Sequence, residues 1–145
     1  MEAPNKPEYI WEISDIMDFI QQSESFLMTQ INTDDGDEIA WRIAECINLI
    51  PAMNNALASA KWHTDTAYRA EWEHIQAIYA TDNPTPLYAA SVLKDYIKSR
   101  TAEAQALLLR AEKLSSGVIH ALDGLRSILS KLKEDRRASS YGQNL

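Results

Sequence analysis

What this sequence has little of narrows its class before any pattern is read. It holds a single cysteine, Cys46, so no internal disulfide can form, and no Cys/His grouping has the spacing of a zinc site. Four glycines and five prolines in 145 residues are too few for a turn-rich β fold. No apolar run approaches the roughly eighteen residues of a membrane span, so no membrane partner is expected. Met1-Glu2-Ala3-Pro4 has neither a basic n-region nor an apolar h-region, so the reading expects no secretory signal and a cytoplasmic chain. There is no glycine-rich phosphate loop, no serine in a nucleophile-elbow context and no histidine beside Cys46. Carboxylates are plentiful but scattered at solvent-face spacing. No catalytic residue, no metal and no cofactor is expected, and the chain reads as a non-enzyme.

What is there points to helices that pack. Apolar residues make up 46% of the chain, enough for one domain with a core of its own. From Leu93 to Leu132 the positions Leu93, Ile97, Arg100, Ala104, Leu107, Ala111, Leu114, Val118, Ala121, Leu125, Ile128 and Leu132 alternate steps of four and three. This is a heptad seam with only Arg100 breaking the apolar rule. Leu108, Leu122 and Leu129 lie one place beyond it and widen it, as in a helix that faces two neighbours. One unbroken helix over that stretch would be about 60 Å long, and its own propensity would not hold it in water without a partner.

Two more helices precede it. Asn5, Pro7 and Glu8 form a helix start, and Ile10, Ile13, Met17, Ile20, Leu27 and Ile31 supply a stripe to about residue 31, thickened by Trp11, Ile16 and Phe26. Asn32 to Asp37 breaks it, with Gly36 free to take positive φ and Asp35 or Asp37 able to cap the next helix. A calcium loop is excluded there, because the ligand spacing would require oxygen from Ile31. The second long helix shows Ile39, Ile43, Cys46, Ile50, Met53, Leu57 and Ala60, with a kink or short break expected at Pro51. Past Ala60 the seam steps over to Tyr68, Trp72, Ile75 and Tyr79. Thr81 to Pro86 is the clearest turn, with Thr85 as cap and Pro86 opening the third helix, which runs to about Arg137 through Gly117 and Gly124. Those two glycines suggest close helix approach. The expected fold is all-α: an antiparallel coiled-coil hairpin of two long helices plus an N-terminal helix. It forms one bundle domain over residues 1–137, with a flexible polar tail over 138–145.

Charge and aromatics suggest partners. The net charge of -7 divides unevenly: residues 1–82 carry 15 acidic against 4 basic side chains, and residues 83–145 carry 6 against 10. Arg126, Lys131, Lys133, Arg136 and Arg137 make the end of the third helix basic, as the helix dipole favours, and could also touch phosphate. Trp62, Trp72, Tyr79 and Tyr88, with Tyr68 and Tyr96, flank the Pro84–Pro86 turn and read as a core end-plug or a protein interface, because the neighbours Glu71, Glu73 and Asp82 do not suit nucleic-acid stacking. His63 and His74 share a helix face but stand about 16 Å apart, too far for one metal, and read as surface residues. His120, beside seam residue Ala121, reads as a partly buried structural histidine, and Cys46 as a small buried hydrophobe.

The stretch Leu122-Asp123-Gly124-Leu125-Arg126-Ser127-Ile128-Leu129-Ser130-Lys131-Leu132-Lys133-Glu134 resembles the closing helix of small all-helical proteins of tailed phages and prophages, encoded near single-strand annealing recombination genes. Gly124 stands where alanine is expected. The resemblance implies an accessory of phage DNA recombination or replication, with Arg126, Ser127 and Lys131 as its signature, and it brings no catalytic residues. The expected role is a non-enzymatic helical interaction or scaffold protein, a homo-oligomer with a protein partner, because one short helix cannot cover both long ones. Two rival roles are an acidic nucleic-acid mimic that inhibits a nucleic-acid enzyme through residues 1–82, and single-stranded nucleic-acid binding through the basic C-terminal end.

Overall fold

The chain folds as an all-α helical hairpin bundle; the structure, a computed structural model, describes residues 5–81 and 90–143. Its elements are α1 (Ile13–Met28), α2 (Gly36–Thr81), α3 (Ala90–Arg100) and α4 (Ala102–Gln143). The turn expected at Pro84–Pro86 lies outside the described residues. Helices α2 and α4 pack side by side. A Cβ added to Gly36 would meet Leu132 Cδ2 at 3.5 Å, while Thr64 Oγ1 donates to the carbonyl of Ala104 at 3.1 Å. Rising numbers on one helix meet falling numbers on the other, so the pair is antiparallel.

The core lies where the stripes of α1, α2 and α4 meet, at Ile16, Ile20, Cys46, Met53, Ala56, Ala60, Leu107, Ala111, Leu114, Val118 and Leu122. On α4 the buried line follows the expected seam to Val118, then takes Leu122 in place of Ala121. A near-straight helix turns every 3.6 residues rather than 3.5, so a fixed heptad line drifts off the contact and the next position replaces it. On α2 the deepest line is Ile39, Arg42, Cys46, Met53, Ala56 and Ala60, while Ile43, Ile50 and Leu57 lie half-buried along its edge.

Helix α1 starts later than its stripe suggests. The Trp11 N–H donates to Ser59 Oγ at 2.9 Å, and His63 Nε2 donates to the Trp11 carbonyl at 2.7 Å. Both backbone groups of Trp11 are therefore held by α2, and Glu12 stays extended at φ -67°, ψ 153°. Residues 7–10 form a turn closed by the Ile10 N–H on the Pro7 carbonyl at 3.1 Å, and Lys6 pairs with Glu12. At the far end the buried Arg42 donates to the carbonyls of Phe26 and Thr29, with its guanidinium 4.3 Å from the Phe26 ring centroid. The Phe26 carbonyl, in the last turn, also accepts from the Thr29 N–H at 3.1 Å, so Arg42 adds a second donor there and reaches the Thr29 carbonyl just past the helix end. Thr29 is extended, so α1 ends at Met28.

The connection to α2 uses its acids as backbone partners. Asn32 Oδ1 accepts from the Asp34 N–H at 3.0 Å, and Asp35 Oδ1 accepts from Asp37 and Glu38 at 3.0 and 3.3 Å. Asp35, rather than Asp37, is the cap, and Gly36 is the first residue of α2 without positive φ. Helix α2 then runs through Pro51 without a break. The proline is exposed, and the donor it lacks would have met the carbonyl of Ile47 away from the core.

The third helix is not continuous. Thr101 separates α3 from α4. It is 3% exposed, its Oγ1 donates to the Ile97 carbonyl at 2.8 Å and accepts from Gln105 Nε2 at 2.7 Å. The backbone ladder runs through this point, since the Thr101 N–H donates to the Ile97 carbonyl and the Gln105 N–H to the Thr101 carbonyl, both at 3.0 Å, so the interruption is one residue long. At the other end α4 continues to Gln143, past the boundary expected at Arg137.

Gly117 and Gly124 do not mark close approach, since an added Cβ at either would meet nothing within 4 Å. Gly117→Ala and Gly124→Ala should therefore each raise stability by about 1 kcal/mol, read as a higher urea midpoint. Arg42→Met takes the donor from the Thr29 carbonyl and leaves the Phe26 carbonyl with the Thr29 N–H, and should cost about 1–3 kcal/mol in the same titration.

Candidate functional site

Helix α1 covers one side of the hairpin. Its polar contacts fall on Arg42, Ser59 and His63 of α2 and on Arg110 of α4, which pairs with Glu24 at 3.2 Å. At 100° per residue, Ser59, His63 and Arg110 stand about 100° to the same side of the line where α2 and α4 meet. Beside α1, a half-open groove of about 500 Å³ runs between the three helices and the Thr101 break. Its apolar part is Ile13, Met17, Ala67, Ala104 and Leu107, and its rim holds His63, Arg100, Glu103 and Arg110. Ile13 and Met17, placed by periodicity on the core stripe, are 46% and 47% exposed here. Arg100 is drawn out of the seam to Glu71, at 3.6 Å. The rim charges are thus largely paired, and what remains is an apolar trough sized for a small ligand or a few side chains.

The other side of the hairpin carries no helix among the described residues. There α2 presents Ile43, Ile47 and Ile50, and α4 presents Leu108 and Ile119, with Ile47 and Ile119 43% and 44% exposed. The pairing of Gly36 with Leu132 and of Thr64 with Ala104 sets Ile47 beside residues 119–121, so the two isoleucines form one patch.

The basic end is arranged differently from what charge alone suggests. Arg126, Lys131, Lys133, Arg136 and Arg137 are all exposed; at 100° per residue Arg126, Lys133 and Arg137 share one face of α4, Arg136 lies beside it and Lys131 points elsewhere. Arg126 approaches Asp123 at 3.9 Å, and an Arg136 nitrogen lies 3.8 Å from where a Cβ on Gly36 would sit, next to the acidic residues that open α2. Of the aromatic set, Trp62 meets His63 edge-on at 5.1 Å and Trp72 meets Tyr68 at 6.4 Å. Trp62 and Trp72 are half-buried and stand about 15 Å apart along α2; Tyr88 and the side chain of Tyr79 lie outside the described residues.

Two histidines exchange the roles that spacing gave them. His63 is half-buried and holds Trp11, while His120 is exposed. Arg42 is the structurally central residue that the stripe concealed, although its spacing from Ile39 and Cys46 is that of a seam position. Among the described residues no group of three His, Cys, Asp or Glu could hold a metal ion, and no helix is long and apolar enough to cross a membrane. No family model, no curated protein and no solved structure matches the chain.

Cys46 is fully buried beside Arg42 and faces the cleft between the α1 C-terminus and α4. Burial pushes its thiol above the ordinary value; the Arg42 guanidinium opposes this and the Glu45 carboxylate adds to it. The folded chain thus keeps the thiol proton to higher pH than the unfolded chain, so the thiol's contribution to stability is complete below the ordinary value of 9.0 and declines as pH rises past it. Alkylation by iodoacetamide at pH 8 should be on the order of 10³-fold slower or more in buffer than in urea. Above pH 9 the urea midpoint should fall further for the natural chain than for Cys46→Ala.

Proposed function

We propose that this chain is a non-enzymatic helical interaction protein that works as an assembly of its own copies and presents the remaining helical surfaces to a protein partner. The observation that carries the reading is that α1 covers one side of a hairpin whose two sides are both apolar. Ile47 and Ile119 on the open side are the kind of large, half-exposed aliphatic pair that a working assembly buries. The groove beside α1, with Ile13 and Met17 as its apolar lip, gives such an assembly a second docking surface. The tie to phage DNA recombination or replication rests on the likeness of residues 122–134 to the closing helices of those accessory proteins. The acidic residues beside Arg136 favour a protein partner over direct nucleic-acid binding at the basic end, because they offset the positive potential that phosphate contacts need.

Static light scattering of the full chain across the micromolar range should give a mass of two or more chains. A monomer over that whole range would overturn the self-assembly at the centre of this reading.

A further inference from the structure

We infer that the side of the α2–α4 hairpin opposite α1 is the surface on which a second copy of the same chain docks, joining two hairpins face to face as a four-helix core flanked by the two α1 helices. This deepens the self-assembly reading above and rests on it.

The face is built from Ile43, Ile47, Ile50 and Leu57 of α2 and Leu108 and Ile119 of α4. Ile43, Ile50 and Leu57 share one heptad position with Gly36 and Thr64, which touch α4, so they line the floor of the α2–α4 seam, while Ile47, Leu108 and Ile119 stand on its side away from Ser59, His63 and Arg110. Four of them, Ile43, Ile50, Leu57 and Leu108, already pack their inner edges against the core, so the face has a firm base and loses little freedom on docking. Ile47 and Ile119 project furthest and supply the central anchors.

The size of the face suits a second hairpin. Two helices side by side make a strip about 18 Å wide, and the length from Ile43 to Tyr68 is about 38 Å. The product, about 700 Å², is close to the ~800 Å² that each partner buries in a stable interface of ordinary size. A single added helix would cover about half that width.

Charge also selects a copy of this chain. The molecule carries -7 overall, so two copies repel across most of their surface. Around this face the signs balance: Lys61, Arg69 and Arg126 stand with Asp65, Glu112 and Asp123. With no excess of either sign, the face adds no net like-charge repulsion when a second copy lies on it. A strongly basic partner would find no excess of acid here, and a strongly acidic one no excess of base.

The test uses the full chain at several concentrations, followed by light scattering and circular dichroism. Ile47→Glu and Ile119→Glu, singly and together, should leave helicity intact and move the dimer–monomer midpoint at least about 100-fold upward, since each places a carboxylate at a buried anchor. Ile13→Glu and Met17→Glu, in the groove on the other side, should leave the midpoint unchanged. Asn54→Cys, exposed on the proposed face, should give a cross-linked dimer with a short bis-maleimide, whereas Gln21→Cys on α1 should not; this comparison decides the matter if a glutamate variant fails to fold. A dimer that survives the Ile47 and Ile119 changes, or cross-links through position 21 and not 54, overturns the assigned face and leaves self-assembly standing. A natural chain that stays monomeric at every concentration overturns both.

Discussion

Polar pins at both ends of α1 set where that helix sits, and its seat decides which surfaces of the molecule are covered. At the front, Ser59 and His63 take both backbone groups of Trp11. At the back, Arg42 reaches two carbonyls at the negative end of the α1 dipole while its guanidinium lies over Phe26. An apolar stripe alone allows a helix to slide by a turn or roll by a fraction of one. Hydrogen bonds to named backbone atoms do not, because a shift would leave buried donors and acceptors without partners. Ile16 and Ile20 are then fixed in the core, while Ile13 and Met17 are left at the lip of a groove.

The fold class and the antiparallel pairing of two long helices were legible in the sequence because they depend on periodicity, and periodicity survives in the side chains. The details that periodicity does not encode were the ones that changed. The start of α1 is set by Ser59 and His63, which lie 48 and 52 residues from Trp11, and a local cap signal at Asn5 cannot compete with them. The one-residue interruption at Thr101 is invisible in a seam that continues on both sides of it, because the apolar spacing does not lapse there. Arg42 has no place in a stripe counted from apolar residues, although it occupies a seam position of α2 and satisfies carbonyls that no apolar residue could.

The candidate surfaces were less legible than the fold. Counting apolar positions shows that there are more of them than one partner needs, but not which are left over. On α2, Ile43 and Ile50 are as hydrophobic as Ile39, yet only Ile39 is fully buried, because rotation of the helix about its axis is fixed by Arg42 and Ser59. Clusters of like charge were likewise poor guides, since the basic end of α4 lies alongside the acidic start of α2.

The hydrogen-bonding pins at the two ends of α1 lead to α2, while α4 adds the Glu24–Arg110 pair and the apolar residues Leu107, Ala111, Leu114 and Val118, which share one core with Ile16 and Ile20. The register of α1 is therefore written in one long helix and much of its burial is supplied by the other. Neither half of the chain can seat α1 by itself, so closing the hairpin and docking its first helix are a single event.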